Sequence, residues 1–228
     1  MNRKNKLVVF DIDGTLVDSK KLHHSALIKT LNGYKFKRLN LDFASYKHHT
    51  DSWIVKEIFK ENGKEFKSEK LTFISTMVRH FNNQIAINDL SVILGANEFI
   101  DYLHQNTDWG VCFATGSFGD LANIKLSRAC INYNESLLVH ADEHYSREDI
   151  VNSAISKSKK YYGIDDFTTI VSMGDGVWDK YTADNLGLEF IGISDSCHSK
   201  TLVDAGAKQI FTNFKNIKNI LMVLSEFK

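Results

Sequence analysis

Asp11 and Asp13, two residues apart, end the apolar run Leu7-Val-Val-Phe10 and lead into Gly14-Thr15. Carboxylates this close repel one another, so the pair calls for a cation beside it. A calcium loop fails on spacing, because it needs Gly at position 6 and Glu at 12, where counting from Asp11 reaches Leu16 and Leu22. A plain Asp-Gly turn explains Gly14 and leaves Asp11 without a reason. Further along, Thr115-Gly116-Ser117 follows another apolar run. A hydroxyl and a glycine N–H at such a place can hold an oxyanion. A third acidic stretch reads Met173-Gly174-Asp175-Gly-Val-Trp-Asp179. Its carboxylates are four apart and face one side if a helix begins there. There is no Gly-Lys-Ser/Thr loop and no G-x-G-x-x-G after the first run. Walker-type ATPases and dinucleotide folds are thereby excluded.

These motifs need elements to carry them. Apolar runs suited to doubly buried strands occur at Lys6–Phe10, Val111–Ala114, Ser136–Val139, Thr169–Met173 and Phe190–Ile193, with a weaker one at Gln209–Phe211. Helical stretches lie between them at Asn97–Gln105, Gly119–Ala129, Arg147–Tyr162 and Asp179–Asn185. The alternation predicts an α/β, Rossmann-like, doubly wound parallel sheet. In such sheets ligands bind beyond the C-terminal strand ends. From about Asp18 to Leu90 the alternation stops and only helical spacing continues, as in Leu22, Ala26, Leu27 and Leu31. The expected organisation is a core of 1–17 and 91–228 with a helical insertion, 18–90.

Composition narrows the class. The 228 residues carry 28 Lys+Arg against 28 Asp+Glu, so no overall field draws the chain to nucleic acid or to an anionic membrane. The insertion alone holds 13 Lys/Arg against 8 Asp/Glu, which suggests a basic lid over an acidic floor. The other reading of those lysines is a solvated surface. No proline occurs, where average usage of about 5% would give roughly eleven. Polyproline segments and cis-Pro turns are therefore absent. Cys112, Cys130 and Cys197 lack metal-like spacing and are expected to be reduced thiols of a cytoplasmic protein. No apolar stretch approaches a membrane span. The expected assembly is a monomer or weak homodimer.

Asp11-x-Asp13-Gly-Thr15, Thr115-Gly-Ser117 and Gly174-Asp175-x-x-x-Asp179, in that order on successive strand ends, resemble the haloacid dehalogenase-like superfamily. The resemblance covers the whole core, and the insertion resembles that family's small helical cap. It implies that Asp11 is a nucleophile that forms an aspartyl-phosphate, with Asp13 as general acid and base. It implies Mg²⁺ held by the Asp11 carboxylate, the Asp13 carbonyl, Asp175 and waters, with Asp179 beside them to orient a water or the phosphate-binding cation. Thr115 and the Gly116 N–H would bind phosphoryl oxygens. The family's true dehalogenases lack an acid at the place of Asp13, so the resemblance favours phosphoryl chemistry.

The family's third motif is usually a Lys, often followed by Pro; here that place reads Ser146-Arg147-Glu148-Asp149. Ser146 and Asp149 form a capping-box pattern, which puts Arg147 at the first helical position. A cation there opposes the helix dipole, so something else must require it. Lys125 is the second candidate. In the insertion, Lys47, His48 and His49 occupy the place of a loop that reaches into the site of small-cap relatives. They could read a second anionic or hydroxyl group, or simply be exposed. The expected function is a Mg²⁺-dependent phosphatase of a small phosphorylated metabolite. The alternatives are a sugar phosphomutase, a phosphonate hydrolase using Lys20, Lys21 or Lys47 as a Schiff-base amine, and a non-catalytic binding module.

Overall fold

Strand β1 (Lys6–Phe10) alternates its side chains between two faces, Val8 and Phe10 on one and Leu7 and Val9 on the other, and all four are buried. The chain then forms β2 (Val17–Asp18), α1 (Lys20–Gly33), a 3₁₀ turn at Phe43–Ser45, α2 (Asp51–Glu61), α3 (Phe66–Ile85) and β3 (Ser91–Val92). It continues through α4 (Ala96–Asn106), β4 (Trp109–Ala114), α5 (Gly119–Arg128), a 3₁₀ turn at Glu135–Leu137, β5 (Leu138–Val139) and α6 (Arg147–Tyr162). Last come β6 (Thr169–Gly174), α7 (Val177–Asn185), β7 (Glu189–Ile193), α8 (Ser199–Asp204), β8 (Ile210–Phe211) and α9 (Ile217–Glu226). The structure, a computed structural model, describes residues 4–195 and 199–227, so Cys197 lies outside the described residues. Cys112 is buried and Cys130 exposed, both as free thiols.

Six strands form one parallel sheet in the order β5-β4-β1-β6-β7-β8, the α/β Rossmann-like fold that the alternation predicts. Helices α4, α5 and α9 cover the face of Val8 and Phe10, and α6 covers the face of Leu7 and Val9. Phe10 sits among Phe99, Phe113 and Phe214, with ring centroids 6.1–6.2 Å away. Differences from the expected elements are local. The strand expected at Ser136–Val139 shrinks to β5, because the Asn134 side chain accepts from Ser136 N at 2.9 Å and turns the chain. Helix α7 begins two residues before Asp179. Helices α8 and α9 are outside the pattern read from the sequence.

Helices α1, α2 and α3 make the insertion, entered and left through the antiparallel β2–β3 ribbon, which straddles the expected boundaries. Their apolar stripes meet in a second core of Leu27, Leu31, Phe59, Phe73, Met77 and Phe81. Phe118 and Leu121, from the start of α5, complete it, so the insertion packs directly onto the sheet's C-terminal edge. Phe73 is fully buried, and its replacement by Ala would cost about 3–5 kcal/mol.

Candidate active site

Register brings the motifs together. Phe10 pairs with Phe113 on one side and Met173 on the other, so the residues that follow leave the sheet side by side. Asp11 N donates to Met173 O at 2.9 Å, and Thr115 N to Val139 O at 3.0 Å. Gly14 turns the loop with φ +88°, and a Cβ there would collide with Asp175 and Lys20. Helix α6 is capped as its sequence predicts, with Ser146 Oγ accepting from Asp149 N at 3.1 Å. This aims Arg147 inward from the first turn.

Arg147 Nη1 donates to Asp11 Oδ1 and Asp179 Oδ1, both at 2.9 Å. Two carboxylates thus account for a cation at the positive end of a helix. Asp179 Oδ2 accepts from Gly176 N at 3.0 Å, and Lys20 pairs with Asp175. Burial, then the Asp179 charge, raises the Asp11 carboxyl to about 7 against the pull of Arg147. Burial likewise raises Asp175 to about 7 against the pull of Lys20, and pushes Asp179 upward. The Lys20 ammonium would be lowered by burial, but Asp175 overrides this and raises it.

Asp13 has the opposite environment. Lys125, whose side chain is 0% exposed, places Nζ 2.6 Å from Asp13 Oδ1 and 2.8 Å from Oδ2. Ser19 Oγ donates to Oδ1 at 2.5 Å and Ser117 Oγ to Oδ2 at 2.7 Å. Burial alone would raise this carboxyl; Lys125 and His23, with the hydrogen bonds from Lys125 and Ser19, hold it well below the usual carboxylate range. Lys125 also donates to Ser117 Oγ at 2.8 Å and lies 3.0 Å from His23 Nδ1. His23 Nε2 is 2.8 Å from Asp51 Oδ1, and Asp51 Oδ2 accepts from Phe118 N at 2.9 Å. A buried polar chain therefore runs from Asp13 through Lys125 and His23 into the insertion. Arg147 and Lys125, read from sequence as rivals for one place, hold different aspartates.

The insertion is closed over these groups. Asp51 N donates to Gly116 O at 2.8 Å, Thr50 Oγ1 to Tyr145 O at 2.7 Å and Ser52 Oγ to His144 O at 2.6 Å. His49 O lies so close to Gly116 that a Cβ there would be 2.6 Å from it. Between cap and sheet lies a cavity of about 90 Å³. Its floor has Asp13, Thr115, Gly116 and Arg147; its cap wall has His24, Leu27, Phe43, His49 and Ile54. Thr115 Oγ1 accepts from Ser117 N at 3.1 Å. Asp11, Asp175 and Asp179 sit behind Arg147 and Lys20 and do not line the cavity.

Three expectations about the cap need correction. His49 reaches the cavity, stacked on Trp178 with centroids 5.0 Å apart, whereas Lys47 and His48 line a neighbouring cavity of about 230 Å³ that shares His49, Arg147 and Trp178. Lys47 is exposed, and His48 packs edge-on against Trp53 at 4.8 Å, because the loop turns its backbone toward Gly116. The basic lid is also absent. Lys56, Lys60, Lys64, Lys67 and Lys70 line a separate outer groove of about 510 Å³, where solvation is cheap, and the inward face sets Leu27, Phe43 and Ile54 among Lys20, His23, His24, His49, Thr50 and Asp51. Of the three proposed amines, Lys20 alone lines the cavity.

A sequence model of the family described as haloacid dehalogenase-like hydrolase matches residues 8–193. The chain belongs to the haloacid dehalogenase-like hydrolases. It is an enzyme of that family. A hydrolase from Pseudomonas syringae superposes with TM-score 0.69 and 23% identity over 94% of this chain and 96% of that one. A candidate β-phosphoglucomutase from Bacteroides vulgatus gives 0.70 and 19% over 99% and 90%. A predicted phosphoglycolate phosphatase from Haemophilus somnus gives 0.63 and 14% over 97% and 99%. At these identities the structural likeness speaks for the fold alone. No curated protein sequence matches the chain. No helix among the described residues is long and apolar enough to cross a membrane.

For a haloacid dehalogenase-like hydrolase the acidic cluster can be tested as a metal site. One carboxylate oxygen each from Asp11, Asp175 and Asp179 lies within 4.8 Å of the others. Asp175 Oδ1 is buried without a hydrogen-bond partner, an acceptor that a cation would satisfy. An all-oxygen, carboxylate-rich set suits a hard divalent ion such as Mg²⁺, so the residues fit. His23 and Asp51 carry no motif in the sequence, and Lys20 and Lys125 are expected there in other roles, as a Schiff-base amine and as the third-motif cation.

Proposed function

We propose that the enzyme hydrolyses a small phosphomonoester through an aspartyl-phosphate on Asp11. The observation that carries this is the pairing of two differently tuned carboxylates at one strand end. Asp11 is bound by Arg147 alone on one oxygen and by Thr15 Oγ1 at 3.3 Å on the other, while Asp13 is gripped by four donor contacts. In the first displacement an Asp11 oxygen bonds to phosphorus as the ester P–O bond breaks, and the departing alcohol oxygen takes a proton from solvent water, whose hydroxide is neutralised when Asp13 later releases the proton it accepts. In the second, water attacks the same phosphorus, the Asp11–phosphorus bond breaks, and Asp13 accepts the water's proton. Asp13, held as a carboxylate, is set for that second half. Arg147 and the Gly116 N–H stabilise charge spread over the phosphoryl oxygens. Mg²⁺, which Asp11, Asp175 and Asp179 would hold, supplies Lewis-acid charge neutralisation when bound.

At about 90 Å³ the cavity is well below the roughly 300 Å³ at which ligand pockets begin, so the cap must open to admit substrate. Acid quenching of enzyme mixed with a radiolabelled phosphomonoester should leave label on the protein, and Asp11→Asn should leave none. Steady turnover by Asp11→Asn would refute the reading.

A further inference from the structure

The cap wall specifies what the phosphoryl group leaves behind. Resting on the phosphatase reading, we infer that the leaving group is a small, uncharged and mainly apolar alcohol. A phosphatase reads its leaving group through the side chains that face it across the cavity. Here the hydrogen-bonding groups of that wall are already engaged. His23 uses Nε2 on Asp51 and Nδ1 on Lys125. Asp51 uses its second oxygen on Phe118 N. Thr50 Oγ1 donates to Tyr145 O and accepts from Trp53 N at 3.3 Å. What faces the cavity between them is hydrocarbon: Leu27 is 1% exposed, Ile54 is 6% exposed, and Phe43 meets the edge of His24 at 5.3 Å.

The polar groups left in this wall are two imidazoles, His24 at the solvent edge and His49 on Trp178. Burial lowers both below the ordinary imidazole value, with His23 acting further on His24 and Arg147 on His49, so both are neutral at pH 7. Among the described residues no cap lysine or arginine lines the cavity except Lys20, whose ammonium is on Asp175.

A carboxylate or second phosphate on the leaving group would meet two cations in the lining, Lys20 and Arg147, both already paired, with Asp175 and with Asp11 and Asp179, so its burial would be costly. A sugar would bring several hydroxyls to a wall with two neutral imidazoles to receive them, and the unmatched ones would lose their water. An apolar alcohol loses nothing on entering, gains contact with Leu27, Phe43 and Ile54, and can present one polar group to His24.

The test is a panel of esters with the same phosphoryl group: isopentyl phosphate and benzyl phosphate against phosphoglycolate and glucose 6-phosphate. The apolar esters should exceed the other two in kcat/KM by about 100-fold, the scale of leaving buried polar groups unpaired. Phe43→Arg sits on a half-buried turn and does not open the cap core, so it should fold. It should shift the preference toward phosphoglycolate by at least about tenfold, as a cation enters the wall. Equal rates across the panel, or a preference for phosphoglycolate or glucose 6-phosphate, would overturn the inference while leaving the phosphatase reading intact. If none of the four esters is turned over, and none labels Asp11, the phosphatase reading fails and takes the inference with it.

Discussion

Lys125→Met tests the division of labour between the two aspartates. Methionine keeps the length of the chain and removes the charge, and Lys125 is wholly buried, so little water can replace it. The change takes the ammonium from 2.6 Å and 2.8 Å of the Asp13 oxygens, 2.8 Å of Ser117 Oγ and 3.0 Å of His23 Nδ1. Removing one member of a buried pair costs 3–5 kcal/mol, and Asp13 keeps two hydroxyl donors, so the lower end, about 3 kcal/mol, applies. For a chain of this size that is a fall of roughly 6–12 °C in melting temperature. Asp13 also loses what holds it in place, and a displacement of about 1 Å in a catalytic group costs roughly 10²-fold in kcat. The assay is steady-state turnover of a phosphomonoester beside a thermal melt. Lys125→Met combined with Asp13→Asn should recover most of the melting temperature, because no carboxylate is stranded, and none of the activity. A single variant that melts and turns over like the wild type would refute the reasoning.

Other outcomes follow from the same geometry. Asp11→Asn should abolish turnover and leave thermal stability equal or higher, because burial already disfavours the charged carboxyl, raised to about 7. Arg147→Ala should lose roughly 10²–10³-fold in kcat, with Arg147→Lys recovering part. It should also melt lower than wild type, since Asp11 and Asp179 lose their shared cation; an unchanged melt would contradict the bridge seen here. Asp11 and Asp175 bind their protons more tightly folded, at about 7, than unfolded, so their contribution to ion-free stability should fall as pH rises from about 4 to 7 and then level off. His24, His49, His80 and His104, held below their ordinary value, act the other way, so the fall is read as wild type minus Asp11→Asn/Asp175→Asn, and a difference that rises across that window would refute the cluster's electrostatics. Mg²⁺ at ten times its Kd should add about 1.4 kcal/mol, roughly 3–6 °C, reversed by EDTA and lost in Asp175→Asn.

The sequence by itself determined the sheet, the order of the motifs and which residues stand at the strand ends. Those features are local: a continuous apolar run makes a doubly buried strand, and Asp11-x-Asp13-Gly needs only its own φ at Gly14. The Ser146–Asp149 cap, which sets the direction of Arg147, is written within four residues. Tertiary structure alone decided what each charge does. Lys125 reads in sequence as a second candidate for the third-motif cation, and only the fold carries it 112 positions back to Asp13. His23 and Asp51 lie 28 residues apart on different helices, and nothing in either helix's spacing foretells their bond. The cap's charge misled for the same reason. Composition records how many lysines an insertion holds, while burial decides which face they occupy. Solvation keeps Lys56, Lys60, Lys64, Lys67 and Lys70 on the outer groove and leaves Leu27, Phe43 and Ile54, beside Lys20, facing the floor.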